Sequence, residues 1–102
     1  MLTLDRAHFD HMTGADRALQ TEVLGLFRMQ AEGWSAAMAS ANGWREAVHT
    51  LKGSARGIGL NALAAACEAA ETAEDSEAGL HDVRVALNEA LSALEQFAAE
   101  AA

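Results

Sequence analysis

A chain of 102 residues without a single proline has nothing that forbids helix at any point, and that narrows its fold more than any motif does. Tyrosine is also absent and alanine is abundant, which favours helix throughout and disfavours a β-sandwich or barrel. Apolar residues recur at three- and four-residue steps, and polar breaks divide them into five segments. The first opens at Leu4-Asp5 and reaches about Met12, with Phe9 and Met12 as its apolar face and Thr13-Gly14 as its stop. The second runs from about Asp16 to Ser40, with Leu19, Val23, Leu26, Phe27, Gln30, Trp34 and Met38 on one side. Ala41-Asn42-Gly43 is a tight break in which Gly43 or Asn42 can take positive φ. The third segment is Trp44 to Ile58. Gly59-Leu60-Asn61 follows, where Asn61 can cap a fourth helix through Ala73, or the pattern can run on with a kink. Its inward residues are Leu60, Leu63, Cys67 and Ala70. Glu74 to Glu77 make the last turn, and Leu80, Val83, Leu87, Leu91, Leu94 and Phe97 stripe the final helix. The tail from Ala98 to Ala102 is expected to fray. Four long helices with short connections predict an all-α, antiparallel up-down four-helix bundle, with the short first helix capping one end. Residues 1–102 are expected to form a single domain.

The third segment has a feature that folding does not require. At 100° per residue, Trp44, Val48, Leu51, Ala55 and Ile58 form one core-facing stripe, and His49 lies about 140° from its centre. Arg45, Lys52 and Arg56 fall within about 60° of His49 on the same flank. Three of the chain's seven Lys and Arg thus gather beside one exposed imidazole on a body of net charge −8. Cations around an imidazole disfavour its protonation, which suits a neutral nucleophile that later carries negative charge. Gly53 and Gly57 follow at one-turn steps, each costing about 1 kcal/mol relative to Ala in a helix interior. What they offer is clearance for another molecule close to the ring.

The run His49-Thr50-Leu51-Lys52-Gly53-Ser54-Ala55, followed by Gly57 and Gly59, resembles the phosphoacceptor motif of histidine-containing phosphotransfer (HPt) domains, the shuttles of multistep phosphorelays. The resemblance implies that His49 accepts a phosphoryl group from an aspartyl phosphate on one receiver domain and passes it to the aspartate of another. It implies that Lys52 neutralises charge on the phosphoryl oxygens and that Gly53 keeps the approach clear, with Arg45, Arg56 and Gly57 on the docking side. Many family members place a Gln from the next helix against the histidine. The matching position here is Glu71, whose carboxylate could orient the neutral ring but would repel a phosphoryl group. The implied partners are response-regulator receiver domains and a hybrid sensor histidine kinase. The chain needs no cofactor of its own, since the Mg²⁺ belongs to the receiver domain.

The rest of the sequence agrees with a carrier in place of a complete enzyme. Phosphoryl transfer is mostly positioning and electrostatics. Free imidazole titrates near about 6.5, so a neutral ring is available without a separate base. No Gly-rich phosphate loop of the GxxxxGK[ST] type and no nucleotide-binding signature occurs. The acidic balance, with a pI near 4.8, argues against nucleic acid as a partner. No apolar run is long enough to span a membrane and the first residues lack signal-peptide order, so a soluble, cytoplasmic monomer is expected. Cys67, the sole cysteine, is read as a small buried residue. His8 and His11, at i, i+3, lack further ligands and are read with His81 as surface residues, so no metal site is expected. Trp34 and Trp44 fit core or half-buried packing. Two alternatives stay open: the phosphoacceptor part of a chemotaxis-type histidine kinase, phosphorylated by a separate ATP-binding domain, and a non-phosphorylated helical adaptor that binds receiver domains.

Overall fold

The structure, a computed structural model, describes residues 3–101. It contains α1 (Arg6–Thr13), α2 (Arg17–Met38), α3 (Trp44–Ile58), α4 (Asn61–Thr72) and α5 (Ser76–Ala101), and no strand among the described residues. The four long helices form a closed ring of neighbours, α2 against α3, α3 against α4, α4 against α5 and α5 against α2, while α1 lies on α3. Short connections between successive neighbours make the bundle antiparallel and up-down. At 1.5 Å per residue, the 26 residues of α5 span about 39 Å, which accounts for the 40 Å long axis.

Most element ends have a visible chemical cause. The Asp5 carboxylate accepts the His8 N–H at 3.0 Å to start α1, and Asp16 accepts the Leu19 N–H at 3.2 Å to start α2. Asp75 accepts the Ala78 N–H at 3.2 Å at the head of α5. Gly59, at φ 97°, ends α3, and its carbonyl accepts the Asp5 N–H at 2.8 Å. A side chain there would sit 3.1 Å from the Asp5 carbonyl oxygen, so glycine is required by both φ and space. This junction ties the start of α1 to the end of α3, and Phe9 meets Phe97 edge-on at 5.5 Å, so α1 closes that end of the bundle.

Five sequence expectations are corrected. Positive φ occurs at Gly14, Ala15 and Gly59, and not at Asn42 or Gly43; Gly43 has φ −111°, because the Trp44 N–H donates to the Ser40 carbonyl in a right-handed turn. Asn61 does not cap α4: Leu60 occupies that position with no side-chain bond, and Asn61 is already helical. The tail does not fray after Phe97. Its helix continues to Ala101, with Glu100 ion-paired to Arg6, while Ala102 lies outside the described residues.

The fourth correction concerns α2, whose buried face is Gln20, Leu24, Phe27, Ala31, Trp34 and Met38. That face is turned by about 60° from the expected stripe at 100° per residue, leaving Leu19, Leu26 and Gln30 exposed. Gln20 tolerates burial because its amide donates to the Asp10 carboxylate at 2.8 Å and to the Thr13 hydroxyl at 3.0 Å. Met12 of α1 is likewise exposed, at 42%.

The expected seams of α3, α4 and α5 hold. Val48, Leu51, Ala55 and Ile58 of α3, Leu63, Cys67 and Ala70 of α4, and Val83, Leu87, Leu94 and Phe97 of α5 are buried in one core. Trp44, Leu80 and Leu91 are half-buried at its edge. Burial pushes the Cys67 thiol up to about 11, which keeps it inert as a nucleophile.

Candidate functional site

Because Val48, Leu51 and Ala55 fix α3 in the core, the same helical period holds His49 on the outer face, where its side chain is 72% exposed. Below the ring the site is far from open. Lys52, three residues on, is only 13% exposed, and its ammonium is clamped on Glu71 of α4, 2.9 Å from Oε1 and 3.1 Å from Oε2. Glu71 is 25% exposed and its Oε1 also lies 3.4 Å from His49 Nδ1. That oxygen is shielded from solvent and receives no well-directed hydrogen bond. It is the one buried side-chain oxygen or nitrogen among the described residues without a hydrogen-bond partner, and it lies near the ring.

The hydrogen bond from Lys52 holds the Glu71 carboxyl below the usual carboxylate range, partial desolvation opposes this, and the His49 contact adds to the lowering. Both contacts favour the ionised form of the Glu71 carboxyl. It is not the free helix acid that is the common role of a glutamate on a helix face, but the hub of a His49–Glu71–Lys52 cluster linking α3 and α4.

The surrounding cations are less free than their spacing suggests. Arg56 pairs with Glu68 at 3.2 Å. Arg45 lies over the Trp44 ring, 4.5 Å from its centroid, and donates to the Glu71 backbone carbonyl at 3.3 Å. The expected positive patch is thus largely compensated by α4, leaving Arg45 without a carboxylate partner among the described residues. Glu68 was not singled out from sequence, although its place three residues before Glu71 puts both acids on one face.

The opposite flank of His49 has a different character. A β-carbon added at Gly53 or Gly57 would meet nothing within 4 Å, so close internal packing does not explain either glycine. Beside Gly57 and Ser54 a groove of about 210 Å³ runs between α2 and α3, floored by Val23, Phe27 and Ile58 and edged by Met12 and Leu26. Leu26 is 50% exposed. Met12 and Leu26, both on apolar faces read from the sequence, are exposed on this surface and not in the core. The His8 Nε2–H donates to the Gly57 carbonyl at 3.1 Å, which gives this surface histidine a structural task. His11 and His81 are exposed, and no group of three metal-ligating side chains converges among the described residues.

The chain is similar to known proteins over most of its length. The family model for the Hpt domain matches residues 9–97. The crystal structure of histidine phosphotransferase ShpA from Caulobacter crescentus is similar over 97% of this chain and 93% of its own, at 39% identity and a TM-score of 0.86. No curated protein sequence matches.

Proposed function

This chain belongs to the Hpt domain family and is a phosphorelay intermediate, and we propose that His49 is the residue on which it carries the phosphoryl group. The observation that carries this reading is the exposed imidazole of His49 set beside a half-buried, ion-paired lysine and carboxylate. The nucleophile is Nε2. Glu71 Oε1 lies near Nδ1 and has a lone pair to satisfy, which favours the tautomer with hydrogen on Nδ1 and leaves the Nε2 pair facing outward. Lys52 supplies positive charge for the phosphoryl oxygens, and Gly53 leaves the approach open.

The donor and acceptor are receiver-domain aspartates, reached in turn. The Nε2 lone pair attacks phosphorus, the bond to the aspartyl oxygen breaks, and the electron pair leaves on the carboxylate; the onward step reverses this with a second aspartate. Mg²⁺ would come with the receiver domain, whose acidic pocket completes a site that this chain half supplies. The receiver domain docks over Gly53, Gly57 and the groove at Leu26, with Arg45 and Arg56 meeting its acidic rim. A monomer suffices for this chemistry.

The deciding experiment incubates the chain with a phosphorylated receiver domain and maps any acid-labile, base-stable phosphate. Label on His49, lost in His49→Gln while receiver binding persists, is expected. Label retained by His49→Gln would sink the assignment.

A further inference from the structure

A neutral amide could orient the His49 ring, so the charge on Glu71 calls for its own account. Before any phosphoryl group arrives, the Lys52 ammonium is already within 3.1 Å of both Glu71 oxygens and is largely withdrawn from solvent. Glu71 Oε1 also faces Nδ1 at 3.4 Å. The geometry points to Glu71 as a positioning residue that keeps the phosphohistidine labile, by holding the Nδ1 proton and by competing with the phosphoryl oxygens for Lys52. This rests on His49 being the phosphorylated residue.

The two effects act on one bond. When Nε2 has taken the phosphoryl group and Nδ1 keeps its proton, the ring bears positive charge. In the onward step the P–N bond breaks, its electron pair returns to Nε2, and an aspartate oxygen bonds to phosphorus. A ring that still holds the Nδ1 proton leaves as neutral imidazole, whereas one that has lost it must leave as an anion. An adjacent carboxylate favours the protonated ring. The same carboxylate keeps part of the Lys52 charge from the phosphoryl oxygens and repels them itself, so the phosphorylated state is raised in energy relative to departure. Arg45 and the Arg56–Glu68 pair flank the cluster and keep their places when only the Glu71 charge is removed.

The test phosphorylates the full chain with phosphoramidate and follows the phosphohistidine by ³¹P and ¹⁵N NMR, for the natural sequence and for Glu71→Gln. The phosphohistidine half-life is expected to lengthen at least threefold in Glu71→Gln, and the pH at which its Nδ1 titrates should move down, which a purely structural contact would not produce. In a Lys52→Ala background the same substitution should lengthen the half-life less, because only the ring effect remains. An equal or shorter half-life in Glu71→Gln overturns the inference, and full additivity overturns the competition for Lys52. If the natural chain takes no phosphate on His49 from phosphoramidate or from a phosphorylated receiver domain, the assignment of His49 falls first and this inference with it. If circular dichroism shows Glu71→Gln unfolded, Glu71→Asp, whose carboxylate is withdrawn by one methylene, takes its place with lengthening again expected.

Discussion

The two flanks of His49 are built from opposite materials. Toward α4 the ring looks down on interlocked charges, Lys52 with Glu71 and Arg56 with Glu68, held at 2.9 to 3.2 Å. Toward α2 it looks along a track of glycine and apolar groove with no ion pair among the described residues. Charges that act on a phosphoryl group must be fixed before it arrives, because reorganising them during transfer would cost energy. A surface that receives a partner must instead be open and apolar enough to desolvate. One helix serves both because its period turns Lys52 one way and Gly57 the other.

That division can be broken experimentally. The largest effect is expected from Gly57→Phe, which fills the docking groove. It should slow phosphorylation by a receiver domain at least tenfold while leaving phosphorylation by phosphoramidate unchanged, and equal slowing with both donors would show that the flanks are not separate.

Lys52→Ala acts on the other side. It should slow transfer several-fold with either donor and lower stability by about 1 kcal/mol, since it leaves Glu71 a partly buried charge without its main partner. Urea denaturation and stopped-flow transfer read the two effects.

The pH dependence of stability sharpens the same point. The Glu71 carboxyl sits below its usual range when folded, so its contribution is complete above the unfolded carboxylate range and is lost as pH falls through the lowered folded value. Urea midpoints between pH 7 and pH 3 should therefore fall less steeply in Glu71→Gln than in the natural chain. The smallest effect belongs to Gly53→Ala, which meets no neighbour. It should stabilise the domain by roughly 0.5 kcal/mol while weakening receiver binding, and faster melting with unchanged transfer would remove the case for clearance at that position.

How much was readable in advance varied along the chain for definite reasons. The α3 helix was legible to the residue because its apolar and polar faces contrast sharply and only one rotation buries Val48, Leu51 and Ala55. The α2 helix was not, because it carries two overlapping apolar stripes. Leu19, Val23 and Leu26 compete with Leu24, Ala31 and a glutamine that looks polar until Asp10 and Thr13 satisfy it. Propensity cannot choose between such stripes; the positions of α3 and α5 do. The choice matters for function, since the stripe left outside supplies Leu26 to the groove beside Gly57.

Sequence alone determined the helical class, the exposed setting of His49 and the residues that share its face, because all of these follow from the local period and the absence of proline. Tertiary structure decided which charges are free. Lys52, Arg56 and Arg45 look alike on a helical wheel, yet one is half-buried against Glu71, one is paired with Glu68 and one lies over Trp44. Those partners stand on a neighbouring helix or one residue away, at distances set by how α3 and α4 pack. Coulomb energy depends on those distances and on burial, and neither is written in the order of residues.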